Sequence, residues 1–249
     1  VSVKMIPGLV RGSVILSISF VGFFGNLSIF VVVAAKRSFH VMHFFLLANL
    51  SLSDLLFNFT ITFYAFSMMS EKWIFGLAWC KGSYFLLFSL TNATILLLCA
   101  ITWECHTAVV TPFQFSSEIT VKKVAAVVLL WIISFLFTGG SHFGSSKLVY
   151  NDYYYFCSYE LPSGILITVI ILIFIVPLGF IAKHQYQIYR VAKRQKTRIA
   201  QQHAINFNRP EGEQQRNFIK KVKESKDALI IVASFLLSYL PFFIIASLR

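Results

Sequence analysis

The run from Gly12 to Ala35 carries no charged residue over 24 positions. As a helix it is about 36 Å long, enough to cross the ~30 Å hydrocarbon core of a bilayer. Five further apolar stretches follow, near Phe44–Met69, Gly82–Trp103, Val124–Thr138, Leu161–Ala182 and Ala228–Leu248. Each suits a membrane-spanning helix. The alternating pattern of a membrane β-barrel is absent, and unpaired backbone in lipid is costly. Composition agrees. Only 13% of residues are charged, against about 25% in soluble domains. The 27 phenylalanines exceed what a soluble core of this size can cover. The chain reads as an all-α integral membrane protein. It starts at Val1 with no signal-peptide pattern, so its amino terminus reads as trimmed.

Basic residues set the orientation. Lys36 and Arg37 lie between spans one and two, and Lys122 and Lys123 between three and four. Twelve more lie from Lys183 to Lys226, around the connection of spans five and six. The opposite side holds only Lys4, Arg11, Lys72, Lys81, Lys147 and Arg249. The positive-inside rule places the first group in the cytoplasm and the amino terminus outside. The net charge of +12 is therefore topology and contact with anionic lipid, or a dock for a cytoplasmic protein, rather than a nucleic-acid surface. Gln201 to Arg216 is polar and reads as a connecting loop. No phosphate loop or zinc-protease motif occurs, and no metal site is expected. His40 and His43 read as solvated residues of the first cytoplasmic turn.

Cys80 and Cys157 both fall on the outer side, where an oxidising compartment favours a disulfide. Cys99 and Cys105 lie nearer the reducing side and read as free thiols. Asp54 is an acid deep within a span. Such a residue is either an interhelical hydrogen-bond partner or a cation or proton site. Asn26, Asn49, Asn92 and Thr94 are candidates to share its network. The Asn-x-Ser/Thr sequons at Asn26, Asn49, Asn58 and Asn92 all lie within spans and read as unglycosylated. Pro177 and Pro241 each remove a helix hydrogen bond and predict kinks that can serve as pivots.

These residues, taken in order, resemble the rhodopsin-like (class A) family of G-protein-coupled receptors. Span one has Gly25-Asn26. Span two has Asn49-Leu50-Ser51-Leu52-Ser53-Asp54, similar to the family's Asn-Leu-x-x-x-Asp. Trp73-Ile74-Phe75-Gly76 precedes Cys80, as in the family's Trp-x-Phe-Gly and cysteine. Trp131, Pro177 and Leu240-Pro241 follow in spans four, five and six. The resemblance covers nearly the whole chain.

The resemblance implies a seven-transmembrane helical bundle of which six helices are present. It makes residues 1–249 one receptor domain lacking the seventh helix and the tail. The family's Asp-Arg-Tyr arginine falls on Cys105, so Glu104-Cys105-His106 marks the cytoplasmic end of helix three. The acid remains and the arginine is gone. Cysteine cannot supply a planar five-donor cation, so altered coupling is expected. The family's packing triad falls on Pro177, Ile95 and Phe235, with Pro241 the second pivot and Tyr239 in place of a tryptophan. Asp54 and Thr94 match two members of the family's sodium site. No other cofactor is implied.

The implied ligand site lies between helices three, five and six. Its candidates are Leu87, Phe88, Thr91, Val169, Ile170, Ile173, Tyr239, Phe242 and Phe243. Leu87 stands where amine receptors carry an acid, which disfavours a primary amine. This apolar and aromatic wall suits an apolar or peptide-like ligand. The outer stretch Tyr150–Tyr155 is read as either a lid or a hydrated loop. The expected protein is a non-enzymatic, multi-pass plasma-membrane receptor with an extracellular ligand, membrane lipid and a heterotrimeric G protein as partners. The rival readings are a signalling-incompetent dimerisation partner of true receptors and a transporter using Asp54.

Overall fold

The computed structural model describes residues 7–35, 41–113, 115–143, 147–151, 156–160 and 163–205, with positions 219, 222, 223, 226 and 230 besides. Apart from Ile230, span six, with Phe235, Tyr239, Pro241, Phe242 and Phe243, lies outside the described residues.

Four long helices come first: α1 (Gly8–Ala35), α2 (Met42–Met69), α3 (Gly76–Val110) and α4 (Val121–Phe143). A hairpin follows, of β1 (Lys147–Asn151) and β2 (Phe156–Glu160). Then come α5 (Ser163–Ile170), a π-helical turn (Ile171–Ile175) and α6 (Val176–Ile205). Among the described residues, five helical segments are long and apolar enough to cross a membrane. Their order matches the first five spans read from the sequence. The ends differ. With 35 residues, α3 is about 52 Å long and overruns the hydrocarbon thickness. Span four, read as short, is a 23-residue helix. The helix after Pro177 continues to Ile205, so Gln201–Ile205, read as loop, are helical. Amphipathic basic turns extend a helix beyond the apolar window that hydropathy reads.

The chain divides into two compact units. The first holds residues 1–97 and 118–176. Its α1 lies against α2 at small residues. A side chain at Gly8 would strike the Met68 carbonyl, and one at Gly12 would come within 2.6 Å of the Ala65 carbonyl. Much of the rest of α1 is exposed apolar surface, including Phe20, Val21 and Phe24, as lipid contact requires. In contrast, 56% of the apolar window of α3 is buried, against 11% for α1, so α3 supplies the core. Leu90, Ala93, Ile95 and Leu97 are among its buried residues.

The α2–α3 turn is locked twice. Lys72 N–H donates to the Ser67 carbonyl, and Ser67 Oγ returns the bond to the Lys72 carbonyl at 2.9 Å. Glu71 takes φ 51°, a left-handed geometry that costs a non-glycine residue on the order of 1 kcal/mol. Trp73 Nε1 donates to the Gly76 carbonyl at 2.8 Å. The ring of Trp73 packs against Tyr64 and Phe75, so the Trp-x-Phe-Gly motif closes the turn as an aromatic plug.

The Tyr150–Tyr155 stretch, read as lid or loop, begins as strand: Tyr150 pairs with Cys157 and Asn151 with Phe156. Residues 152–155 lie outside the described set. The second unit holds residues 98–117 and 177 onward. There Ile101 and Cys105 of α3 and Ile181 and Ile188 of α6 are buried.

Candidate functional site

In the first unit, polar side chains on adjacent helices meet within apolar surroundings. Thr94 Oγ1 of α3 lies 3.1 Å from Ser53 Oγ and 3.3 Å from Asp54 Oδ1 of α2, so its one proton serves both acceptors. Ser53 in turn donates to the Leu90 carbonyl at 3.1 Å. The junction thus gathers a carboxylate and two hydroxyls. These are all hard oxygen donors, the type that alkali and alkaline-earth cations take. Ser53 appears in the sequence reading only as part of the span-two motif, with no role of its own. Its signal is a hydroxyl adjoining the buried acid.

Among the described residues, Thr94 alone of the four candidates shares a side-chain hydrogen bond with Asp54. Asn26 Nδ2 bonds back to the Gly22 carbonyl. Asn49 turns to α4, where Trp131 Nε1 donates to its Oδ1 at 3.2 Å. Asn92 also turns to α4, donating to Thr138 Oγ1 at 3.1 Å. An amide shielded from water needs a partner, and for these two a side-chain partner stands on α4. The amide of the Asn58 sequon is likewise engaged, on the Asp54 carbonyl.

Of the nominated ligand-contact residues, Leu87, Phe88 and Thr91 occupy one stretch of α3, all half-buried. Tyr84 packs on Phe88 with ring centroids 4.6 Å apart. Thr91 Oγ1 donates to the Leu87 carbonyl at 2.8 Å, so it offers a ligand only acceptor lone pairs. Ile170 ends α5 and Ile173 lies buried in the π-turn. Val169 belongs to α5, with its side chain outside the described set. The π-turn carries Val176 N–H to the Ile171 carbonyl, one residue wider than an α-turn. Pro177 follows at once, near the start of α6, where its missing N–H does least harm. The kink expected at Pro177 is thus preceded by a local widening of the helix.

At the other end of α3, Cys105 is fully buried, 0% exposed, with its thiol 3.9 Å from Glu104 Oε2. The side chain in the arginine position therefore points into protein. His106 stacks on Trp103 and lies beside His184 of α6, with ring centroids 4.7 Å apart and ring planes 84° apart. Phe180 closes on His184 from the same helix. His184, Phe180 and Trp103 were not singled out in the sequence, because nothing in spacing alone sets α6 against this part of α3. His43, expected in solvent, is 4% exposed and packs edge-on to Phe44, since α2 begins at Met42 and includes it. His40 lies outside the described residues. Cys80 is disulfide-bonded, while Cys99 and Cys105 keep their thiols outside any disulfide. Cys99 lies 3.9 Å from the Pro177 carbonyl. The side chain of Cys157 lies outside the described set.

Comparison with known proteins agrees with this architecture. An alpha-1A adrenergic receptor of Oryzias latipes is 25% identical over 268 residues, spanning 97% of this chain and 56% of the relative. Trace amine-associated receptor 2 of Homo sapiens is 27% identical over 234 residues, spanning 90% and 64%. The chain thus spans a little over half to under two thirds of the length of these relatives. The crystal structure of squid rhodopsin superposes with a TM-score of 0.84 at 21% identity, covering 98% of this chain and 69% of that one. The fold is therefore the seven-transmembrane helical fold. The family described as 7 transmembrane receptor (rhodopsin family) matches residues 25–249, and the chain belongs to that family.

Proposed function

We propose that this protein is a cell-surface receptor that binds an extracellular ligand and passes the signal to a heterotrimeric G protein. Family membership over residues 25–249 is the observation that carries this reading. The lysine-rich connector supports a cytoplasmic face at the far end of α6, with the amino terminus outside. Leu87, Phe88 and Thr91, with Ile170 and Ile173, are the proposed ligand contacts. Val169, Tyr239, Phe242 and Phe243 complete the set by resemblance.

Two of the relatives are named for adrenergic and trace-amine recognition. This chain has Leu87 where an ammonium group would need an anion. A buried charge without a partner costs several kcal/mol. We therefore read the ligand as apolar or peptide-like, held by aromatic contact and by acceptors such as Thr91. The oxygens of Asp54, Ser53 and Thr94 form a proposed sodium site, which would tie α2 to α3 in one of two receptor states. Ile95, Phe235, Pro177 and Pro241 are the proposed moving parts. Cys157 is the proposed partner of Cys80, being the cysteine left once Cys99 and Cys105 are set aside as thiols.

Glu104, Cys105 and His106 form the proposed G-protein face, altered by the absent arginine. A buried thiol offers an inserted helix neither charge nor a fan of donors. The test is a G-protein recruitment assay on the full-length protein and its Cys105→Arg variant, both verified at the cell surface. Recruitment by the variant is expected to exceed that of the wild type by tenfold or more. Equal, strong recruitment by both would remove the claim of altered coupling. Surface expression and co-precipitation with a second receptor, with no response from either form, would favour the dimerisation partner instead.

A further inference from the structure

The second unit contains a pair of metal-ligating side chains that the proposed receptor function does not use together. We propose that His106 and His184 form a site for one divalent transition-metal ion, which braces α3 to α6 inside that unit. His184 Nδ1 lies 2.8 Å from the Phe180 carbonyl. A carbonyl only accepts, so Nδ1 carries the proton and the lone pair is on Nε2. A ligating histidine is commonly oriented in this way, its second nitrogen bound to a backbone carbonyl. Both ring nitrogens of His106 are shielded from solvent and lack a hydrogen bond among the described residues. The Gln187 amide approaches that ring without meeting hydrogen-bond geometry. A shielded imidazole of this kind still has a lone pair to offer.

The spacing fits a shared ion. Imidazole nitrogens bind such ions at about 2.0–2.1 Å, which puts each ring centroid about 3.2 Å from the metal. Two rings on one ion then have centroids about 4.5 Å apart at a right angle and about 5.2 Å apart at a tetrahedral angle. The observed centroid separation of 4.7 Å falls between these two values. The Gln187 oxygen and water are available for the remaining positions. Lys183 bears on the same ring and opposes a cation, but its ammonium is exposed, so salt screens it. Imidazole ligands select Cu2+ and Zn2+ over Mg2+ or Ca2+, with Cu2+ the tighter of the two. An ion on both rings favours whichever arrangement keeps α3 and α6 close, and so biases any motion that parts them.

Trp103 stacks on His106 at 5.7 Å and reports occupancy directly. Bound Cu2+ at that range quenches indole emission. The experiment titrates Cu2+ into purified full-length protein in lipid nanodiscs and follows tryptophan fluorescence. Reversal by EDTA is the control that separates binding from thiol oxidation. Saturable, reversible quenching is expected, lost in Trp103→Phe. Half-saturation is expected to rise at least tenfold in His106→Asn and in His184→Gln. In parallel, Zn2+ should raise the thermal unfolding midpoint of the wild type, with Mg2+ at the same concentration having no effect. Unchanged titrations in the two histidine variants, or quenching that survives Trp103→Phe, would overturn the proposal. Should either histidine variant fail to fold, the wild-type arms decide: no Zn2+ shift, or no EDTA-reversible quenching, overturns it equally.

Discussion

Asn92 and Thr138 show what a single polar contact contributes in a lipid-facing protein. The Asn92 amide donates to Thr138 Oγ1 at 3.1 Å, and that hydroxyl passes its own proton to the Ser134 carbonyl. Both residues are buried, so each would otherwise leave a polar group in apolar surroundings. Interhelical hydrogen bonds of this kind average about 0.6 kcal/mol in membrane proteins. Asn92→Ala and Thr138→Val are each expected to lower the thermal unfolding midpoint. The double variant should fall short of the sum by about that amount, read from a double-mutant cycle. A strictly additive pair would show that the contact carries no coupling. The same residues mark how far a sequence can be read. That Asn92 is buried, Asp54 and Asn49 half-buried, and all three partnered follows from polar groups in apolar spans. Which helix supplies each partner does not, since facing surfaces are set by packing between segments. Thr94 therefore met Asp54 as expected, while Asn49 and Asn92 went to α4.

At the scale of elements, backbone spacing governs where sequence reasoning holds. Helix existence was legible from apolar length alone. Helix ends were not, because α3 and α6 carry polar turns past the hydrocarbon boundary. The π-turn at Ile171–Ile175 was also illegible: it inserts one residue's worth of rotation before Pro177, and no residue type in Ile-Leu-Ile-Phe-Ile marks it. Counting pocket residues by a regular helical period across that turn therefore drifts by about 100° per added residue. The α1–α2 contact is governed more simply, by the lack of a side chain. Gly12 admits the Ala65 carbonyl at a distance that any Cβ would violate, and Gly25 has open space around it. Gly12→Val is expected to destabilise by about 1–3 kcal/mol and to reduce surface expression. Gly25→Ala should instead be neutral or stabilising by up to about 1 kcal/mol, since it removes backbone freedom within a helix. Thermal unfolding of both variants in the same detergent separates the two mechanisms. Equal losses would mean that helix propensity, not close approach, sets the role of Gly12.

Across the whole molecule, the proposed bond between Cys80 and Cys157 would link segments far apart in sequence. The turn that precedes Cys80 is already rigid, held by the Ser67–Lys72 bonds and the Trp73 plug. Tyr150 and Cys157 are paired in the hairpin, so the proposed second cysteine sits on a formed strand rather than a free loop. A bridge between two preordered segments acts on the unfolded chain, where it closes a long loop, more than on the folded one. The chain-entropy account gives roughly 4 kcal/mol for a closure of this length. Cys157→Ser is accordingly expected to lower the unfolding midpoint markedly. Mild reduction of the wild type should bring it to the same value, while the variant shows no further change on reduction. A variant that still loses stability on reduction would assign the bond of Cys80 to another cysteine. Cys99→Ser and Cys105→Ser, both at residues outside any disulfide, complete the comparison and should leave the response of the wild type to reduction intact.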